Sequence, residues 1–379
     1  MPPVLPQWNW DGMHLASTAD EFFVFEHQLA FTKNIWKVWG LGEWEGFGVL
    51  TDLWAQLPRR PVRDELPRAP RDSGPAFAPN TVQFATKLAN LGPFVTLVNL
   101  AAMTVASVAL SSIGRHFGVP VAPLRLALAL SPASVFFIAS YTEALFAAAT
   151  FSGIALRLGG RPWAAALALG AATSLRSNGI LGVLFLLSGS ELRDFLRAQR
   201  LPPLIRIPQA LLVVYPLLAS QLAAATAFCP GRPWCNVAPA LTTSLHSLTN
   251  LTFTFPLPYT FIQSHYWGQG FLAFFRLSQL PNFFLAGPTF AFAVHGIWTY
   301  AQKPSAHPDA LPLYVHWAIY TAICFTTTHV QTSTRFLSAA CVPVYLHAAD
   351  PIVWRWAKYY FCCYAVIGVV LFSAFYPWV

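Results

Sequence analysis

Residues 131–180 read SPASVFFIASYTEALFAAATFSGIALRLGGRPWAAALALGAATSLRSNGI, and the fold class turns on this stretch. Two apolar runs, 143–156 and 162–175, are separated by Arg157 and Arg161. Their far ends are bounded by Tyr141-Thr142-Glu143 and by Arg176-Ser177-Asn178. A chain crossing an apolar layer twice places the two outer islands on one side and the arginines between them on the other. The alternation extends outward. Trp10-Asp11-Gly12-Met13-His14, the stretch from Cys229 to Asn282, and His329 to Arg335 fall with Glu143 and Arg176. Nearly every Lys/Arg cluster falls opposite.

Composition agrees. Of 379 residues, 55% are hydrophobic, 15% aromatic and only 10% charged, against about 25% charged in a soluble domain. Candidate spans fall at roughly 93–113, 121–139, 143–156, 162–175, 179–190, 207–228, 283–300, 311–328, 336–349 and 361–377. Several are shorter than the ~20 residues that cross about 30 Å of hydrocarbon. Those between 121 and 190 are expected to be broken or paired helices around Pro132, Gly153, Pro162 and Gly179. Irregular backbone at that depth needs protein or a water-filled cavity around it. The expected fold is all-α, a polytopic membrane helix bundle. Residues 1–92 form a luminal loop and irregular segment, and 93–379 form a multispan domain with a luminal loop at about 229–282.

The net charge of +8 does not imply nucleic-acid binding. Arg115, Arg157/Arg161, Arg193/Arg197/Arg200/Arg206, Lys303 and Arg355/Lys358 are expected in alternate short loops, as cytoplasmic positive charge predicts. Cys324, Cys341, Cys362 and Cys363 lie in apolar runs and read as small buried hydrophobes. Cys229 and Cys235 lie in the opposite loop, where an oxidising lumen permits a disulfide; two free thiols is the alternative. Asn250-Leu251-Thr252 is a glycosylation sequon in the same loop. Both features suit an ER-lumen-facing loop. No apolar helix or cleavable leader precedes Asp11, so a span upstream of it is expected to be missing. Residues 14–31 are amphipathic, and 32–80 are rich in Trp, Gly, Pro and Arg without period, which reads as an irregular loop.

Several residues bear chemistry. Asp11 and His14, at i and i+3, lie on one face if helical and suit a base oriented by a neighbour; an N-cap aspartate is the alternative. Glu143 and Arg176 end apolar segments, where charges mark a site or a structural pair. In the run from His329 to Arg335, an Arg beside hydroxyls offers donors to a phosphate, although an ordinary loop has the same composition. Phosphate loops ending in Lys-Ser/Thr, dinucleotide fingerprints, Cys-x-x-Cys and His-Glu-x-x-His are all missing.

These residues resemble a known family. Trp10-Asp11-x-x-His14 with Phe25-Glu26-His27-Gln28 is similar to the first luminal loop of the PIG-V family of GPI mannosyltransferases. In the family's order follow Ser131-Pro132-Ala133-Ser134 with Tyr141-Thr142-Glu143, Arg176-Ser177-Asn178-Gly179, and Cys229 with Arg232-Pro233-Trp234-Cys235-Asn236. Tyr266-Trp267, Gly270-Phe271-Leu272 and Gln279-Leu280-Pro281-Asn282 come next, then His329-Val330-Gln331-x-Ser333-Thr334-Arg335-Phe336. The chain departs from the family in the absent first span and in residues 32–80, which read as an insertion.

The resemblance implies a multi-pass ER membrane enzyme of GT-C type. It would move the second mannose, α1,6-linked, from dolichol phosphate mannose to a GPI-anchor precursor at the luminal face. Asp11 is then the catalytic base, and His14, Glu143, Arg176, Asn178, Gln331 and Arg335 bind substrate. No cofactor or metal is expected, since the leaving group is a lipid phosphate. Expected partners are the two lipid substrates, ER membrane lipids and, as in fungal members, a small membrane accessory subunit. Two other readings use the same residues: a lipid or solute transporter, since broken helices with intramembrane charge also describe those, or a non-catalytic scaffold of the same pathway.

Overall fold

The computed structural model describes residues 79–139, 141–197, 199–228, 258–265, 267–302 and 307–373. The amphipathic piece at 14–31, the loop from 32 to 78, Asp11, His14, Cys229, Cys235 and Asn250 lie outside the described residues. Among the described residues every regular element is a helix. The chain divides into two units, Met1–Val98 and Asn99–Val379, and the boundary falls within α1, Pro79–His116. This helix begins at Pro79 rather than near 93, with a proline whose fixed φ and missing N–H suit a first turn. Its part Val95–His116, 22 residues with mean hydropathy 1.7, is the one segment among the described residues long and apolar enough to cross a membrane by length and composition.

The second unit continues with α2 (Val121–Ala129) and α3 (Ser134–Ile138), parted at Pro132 as the sequence predicts. Next come α4 (Glu143–Leu158) and α5 (Pro162–Leu175), then a 3-10 segment, Ser177–Leu186. α6 (Gly189–Leu196), α7 (Arg206–Phe228) and α8 (Pro258–His265) follow. After a short 3-10 turn at Leu277–Gln279 come α9 (Leu280–Gln302) and α10 (Ala310–Thr327). A second such turn, Val330–Thr332, leads into α11 (Ser333–Ala340) and α12 (Val342–Ala348), and α13 (Pro351–Ser373) is the last helix described.

Small side chains make the interior. Ala144, Ala147, Ala148, Ala165, Ala166 and Ala172 are buried, which lets α4 and α5 lie close along each other and lets α5 seat on α7. Gly153 does not break a helix as expected. It lies inside α4, where an added Cβ would stand 2.7 Å from Leu169 Cγ, so its role is close packing. Large side chains fill the remaining core, with Trp317, Tyr345, Phe136, Phe151 and Phe361 fully buried. The outside carries large apolar groups too, among them Leu211, Leu218 and Leu222 on α7 and Val366, Val369 and Val370 on α13.

Two further expectations are corrected. Arg355 and Lys358 are not in a loop but in the first turns of α13, both exposed. The Asp350 carboxylate accepts hydrogen bonds from the Ile352 and Val353 amides at 2.8 and 3.2 Å, so the helix starts ten residues before the hydropathy suggests. On that helix Cys362 and Cys363 are exposed rather than buried, while Cys324 and Cys341 are buried.

α4 carries charge at both ends, about 21 Å apart at 1.5 Å per residue. At its carboxyl end, Arg157 Nη2 lies 3.8 Å from Glu191 Oε2, and Arg206 Nη2 contacts both Glu191 oxygens at 3.0 and 3.2 Å. Glu191 also closes a capping box on α6. It accepts the Ser188 amide at 2.6 Å, while its own amide donates to Ser188 Oγ at 3.2 Å. Burial pushes the Glu191 carboxyl up, but the Ser188 amide and the Arg206 guanidinium outweigh it and hold it below its ordinary value of 4.5. A carboxylate depressed in the fold contributes stability above its unfolded value and loses it as pH falls through the folded one. Glu191→Gln is therefore expected to lower Tm at pH 7, and the deficit should close below the ordinary carboxylate range. A Tm difference from the parent that does not shrink at acid pH would assign the loss to packing instead.

Candidate functional site

The amino end of α4 is the chemically dense one. Glu143 opens the helix after Tyr141-Thr142, where a carboxylate is favoured by the helix dipole. It is fully buried, and both guanidinium groups converge on its Oε1: Arg176 Nη1 at 2.5 Å and Arg335 Nε at 3.6 Å. Glu143 Oε2 is buried without a hydrogen-bond partner. The Glu143–Arg176 pair left open by the sequence is thus present, joined by a second arginine.

Local structure places both arginines. α5 ends at Arg176, whose extended backbone (φ −150°, ψ 133°) turns the chain out of the helix. The 3-10 segment then folds straight back on α5. Gly179 makes this possible, because a Cβ there would lie 2.6 Å from the Thr173 backbone N and Cα. Overpacking of this kind costs roughly 1–3 kcal/mol. Gly179→Ala is expected to lower Tm accordingly and to displace Arg176; an unchanged Tm would show that the turn has room.

Arg335 sits in the first turn of α11, which packs on α4. Its guanidinium lies over three rings, Phe136 at 5.4 Å, Tyr141 at 5.3 Å and Phe336 at 5.1 Å, and Arg176 lies 4.9 Å from Phe336 on its own account. Aromatic faces hold a cation without using its N–H donors. Arg176 and Arg335 side chains keep 18% and 11% of their surface exposed while Glu143 keeps none. A ligand arriving from outside therefore meets arginine, not carboxylate.

The remaining candidates lie around this core. Asn178 Nδ2 donates to the Tyr320 hydroxyl on α10, and Ser177 Oγ donates to Tyr259 on α8 at 2.7 Å. Gln331, on the turn before α11, has a buried Oε1 with no hydrogen-bond partner. His329 Nε2 donates to the Trp267 carbonyl at 2.6 Å and its ring stacks on Phe274 at 4.8 Å. One turn of loop farther, the Leu272 amide donates to the Thr326 carbonyl at 2.7 Å, with Leu272 held at φ 55°. Residues 267–276 are thereby pinned to the end of α10 and to His329. Sequence reasoning missed Tyr320 and the aromatic shelf of Phe136, Tyr141 and Phe336. The spacing of His316, Tyr320 and Cys324, a polar-capable stripe in an apolar run, was the available signal for the first. Among the described residues no group of three His, Cys, Asp or Glu is placed to hold a metal ion.

The sequence has known relatives. A family model described as Mannosyltransferase (PIG-V) matches residues 95–379. The chain belongs to this mannosyltransferase family. It is 30% identical to a GPI alpha-1,6-mannosyltransferase 2 of Cricetulus griseus, over 89% of this chain and 71% of that protein. It is likewise 30% identical to a GPI mannosyltransferase 2 of Drosophila pseudoobscura pseudoobscura, over 67% and 66%. A third similar protein, a GPI mannosyltransferase 2 of Yarrowia lipolytica, is 32% identical over 56% of this chain and 53% of its own length. No solved structure matches the chain.

Proposed function

We propose that the chain transfers the second mannose, in α1,6 linkage, from dolichol phosphate mannose to a GPI-anchor precursor at the luminal face of the ER membrane. The observation that carries the reading is the arginine pair at the end of α4, in a chain whose similar proteins are named GPI mannosyltransferases. The anomeric carbon is attacked by an acceptor hydroxyl, a C–O bond forms there, and the bond to the lipid phosphate oxygen breaks. The electron pair leaves with the phosphate, and the hydroxyl proton passes to Asp11. Arg176 and Arg335 present donors where charge grows, which is where preorganised groups are most effective. Asn178 and Gln331 flank the sugar, and His14 orients Asp11.

The reading is of a GT-C-type membrane bundle. Large apolar side chains outside and alanines inside suit packing in lipid. Charge at the two ends of α4 rather than at its middle favours a transferase over a transporter. Residues 1–92 and 229–282 are then luminal, and a small membrane accessory subunit is a further partner. Incubating ER membranes containing this chain with labelled dolichol phosphate mannose and a one-mannose GPI intermediate is expected to yield the two-mannose product; no transfer above membranes without the chain would sink the reading.

Topology gives an independent check. Asn250 is expected to carry a glycan in ER membranes, and residues 191–206 to be cut by protease added from the cytosolic side. The Cys229 and Cys235 peptides should run linked in a non-reducing mass map. An Asn250 loop that is intact, unglycosylated and open to the cytosol would invert the orientation, and two freely alkylated thiols would remove the disulfide.

A further inference from the structure

Two arginines sharing one carboxylate are an arithmetic statement about the ligand. Arg176 and Arg335 meet the same oxygen of Glu143, and the carboxylate has no exposed surface while both arginines do. The acidic residues among the described ones are Glu143, Glu191, Asp194, Asp309 and Asp350. Glu191 lies at the far end of α4, with Arg157 and Arg206, and Asp194 shares its helix, α6. Asp309 pairs with His116 and accepts the Gly189 amide beside α6, and Asp350 caps α13. Among these, Glu143 alone contacts the two arginines, so the trio carries one net positive charge.

We infer that Glu143 is a specificity-determining residue that sets this charge, matching the arginine pair to a phosphodiester monoanion and mismatching it to a phosphomonoester. The inference rests on the transferase reading above. A sugar–phosphate–lipid diester carries one negative charge. When its C–O bond to the sugar breaks, the leaving lipid phosphate becomes a monoester with about −1.5 to −2 charges at pH 7. The donor is thus neutralised by the trio and the product is not. An arginine pair without Glu143 would favour the product and hold it after transfer. A buried carboxylate that cannot touch the ligand lowers the site's charge while taking up one arginine donor, Arg176 Nη1.

The test measures binding of two lipids to the purified protein in nanodiscs, a polyprenyl phosphate (monoester) and the same lipid as its methyl phosphate (diester). Glu143→Gln keeps the side chain's size and removes its charge. It is expected to tighten the monoester by about tenfold or more relative to the diester, since a unit charge a few ångströms away at the effective dielectric of a protein is worth at least that. Arg176→Gln should shift the ratio the other way, and Glu143→Gln with Arg176→Gln should return it to the parent value. If Glu143→Gln does not fold, Arg176→Gln alone reads the opposite shift. A monoester-to-diester ratio that is the same in all folded variants overturns the inference. A parent protein that binds neither lipid overturns the transferase reading itself.

Discussion

Asp11→Asn is expected to lower mannosyl transfer by about 10²–10⁴-fold, the usual contribution of a general base, with the protein still folded and in the membrane. Asparagine keeps the size and much of the hydrogen bonding of aspartate but cannot take a proton, so the substitution isolates that one role. The expectation rests on Trp10-Asp11-x-x-His14 and on what the described site lacks. Glu143, the other carboxylate at that end of α4, is fully buried with its Oε1 already facing two guanidinium groups, so it offers a sugar hydroxyl no surface. Transfer rates normalised to the amount of membrane-inserted protein make the measurement. An Asp11→Asn enzyme working within a few-fold of the parent would reduce Asp11 to a helix cap, and a scaffold would not notice the change at all.

Glu143→Ala is expected to be as severe for stability as Asp11→Asn is for turnover. Removing one partner of a buried ion pair typically costs about 3–5 kcal/mol, because the other charge stays buried and unpaired. Here two arginines, 18% and 11% exposed, lose the carboxylate they share. Their positions over Phe136, Tyr141 and Phe336 prevent an easy escape to solvent. The readout is Tm of the purified protein in detergent. A large fall, partly reversed when Arg176→Gln is added, would locate the damage in the uncompensated charge. A fall that the second substitution deepens would locate it in lost packing at the start of α4.

Much of this architecture could be read from residue order. The islands at 141–143 and 176–178 mark the ends of α4 and α5 because a charge is too costly in the middle of an apolar helix. The break at Pro132 follows from a ring that cannot continue a helix. α13 was misplaced for the opposite reason. Arg355 and Lys358 depress the hydropathy of its first turns, but long side chains reach outward from a helix, and the Asp350-Pro351 cap was the stronger signal. Gly153 was misread because a glycine gives the same letter for a hinge and for a close contact, and only the position of Leu169 tells them apart. In the site, the polar members were legible. The role of Phe136 and Phe336 was not, since nothing in an apolar run distinguishes an aromatic that holds a guanidinium from one that fills a core, and Tyr141 was legible only as part of the island at 141–143.

The short helices have a consequence for how the protein is made. α4 and α5 span 16 and 14 residues and the 3-10 segment 10, or about 24, 21 and 20 Å by their respective rises, against about 30 Å of hydrocarbon. None of the three is a self-sufficient insertion signal. In the membrane bundle proposed above, they are expected to leave the translocon as a group, with each turn covered by a neighbour before lipid reaches it. Biogenesis at this corner is then expected to be cooperative, and a substitution at Gly179 or Glu143 to lower the yield of inserted protein.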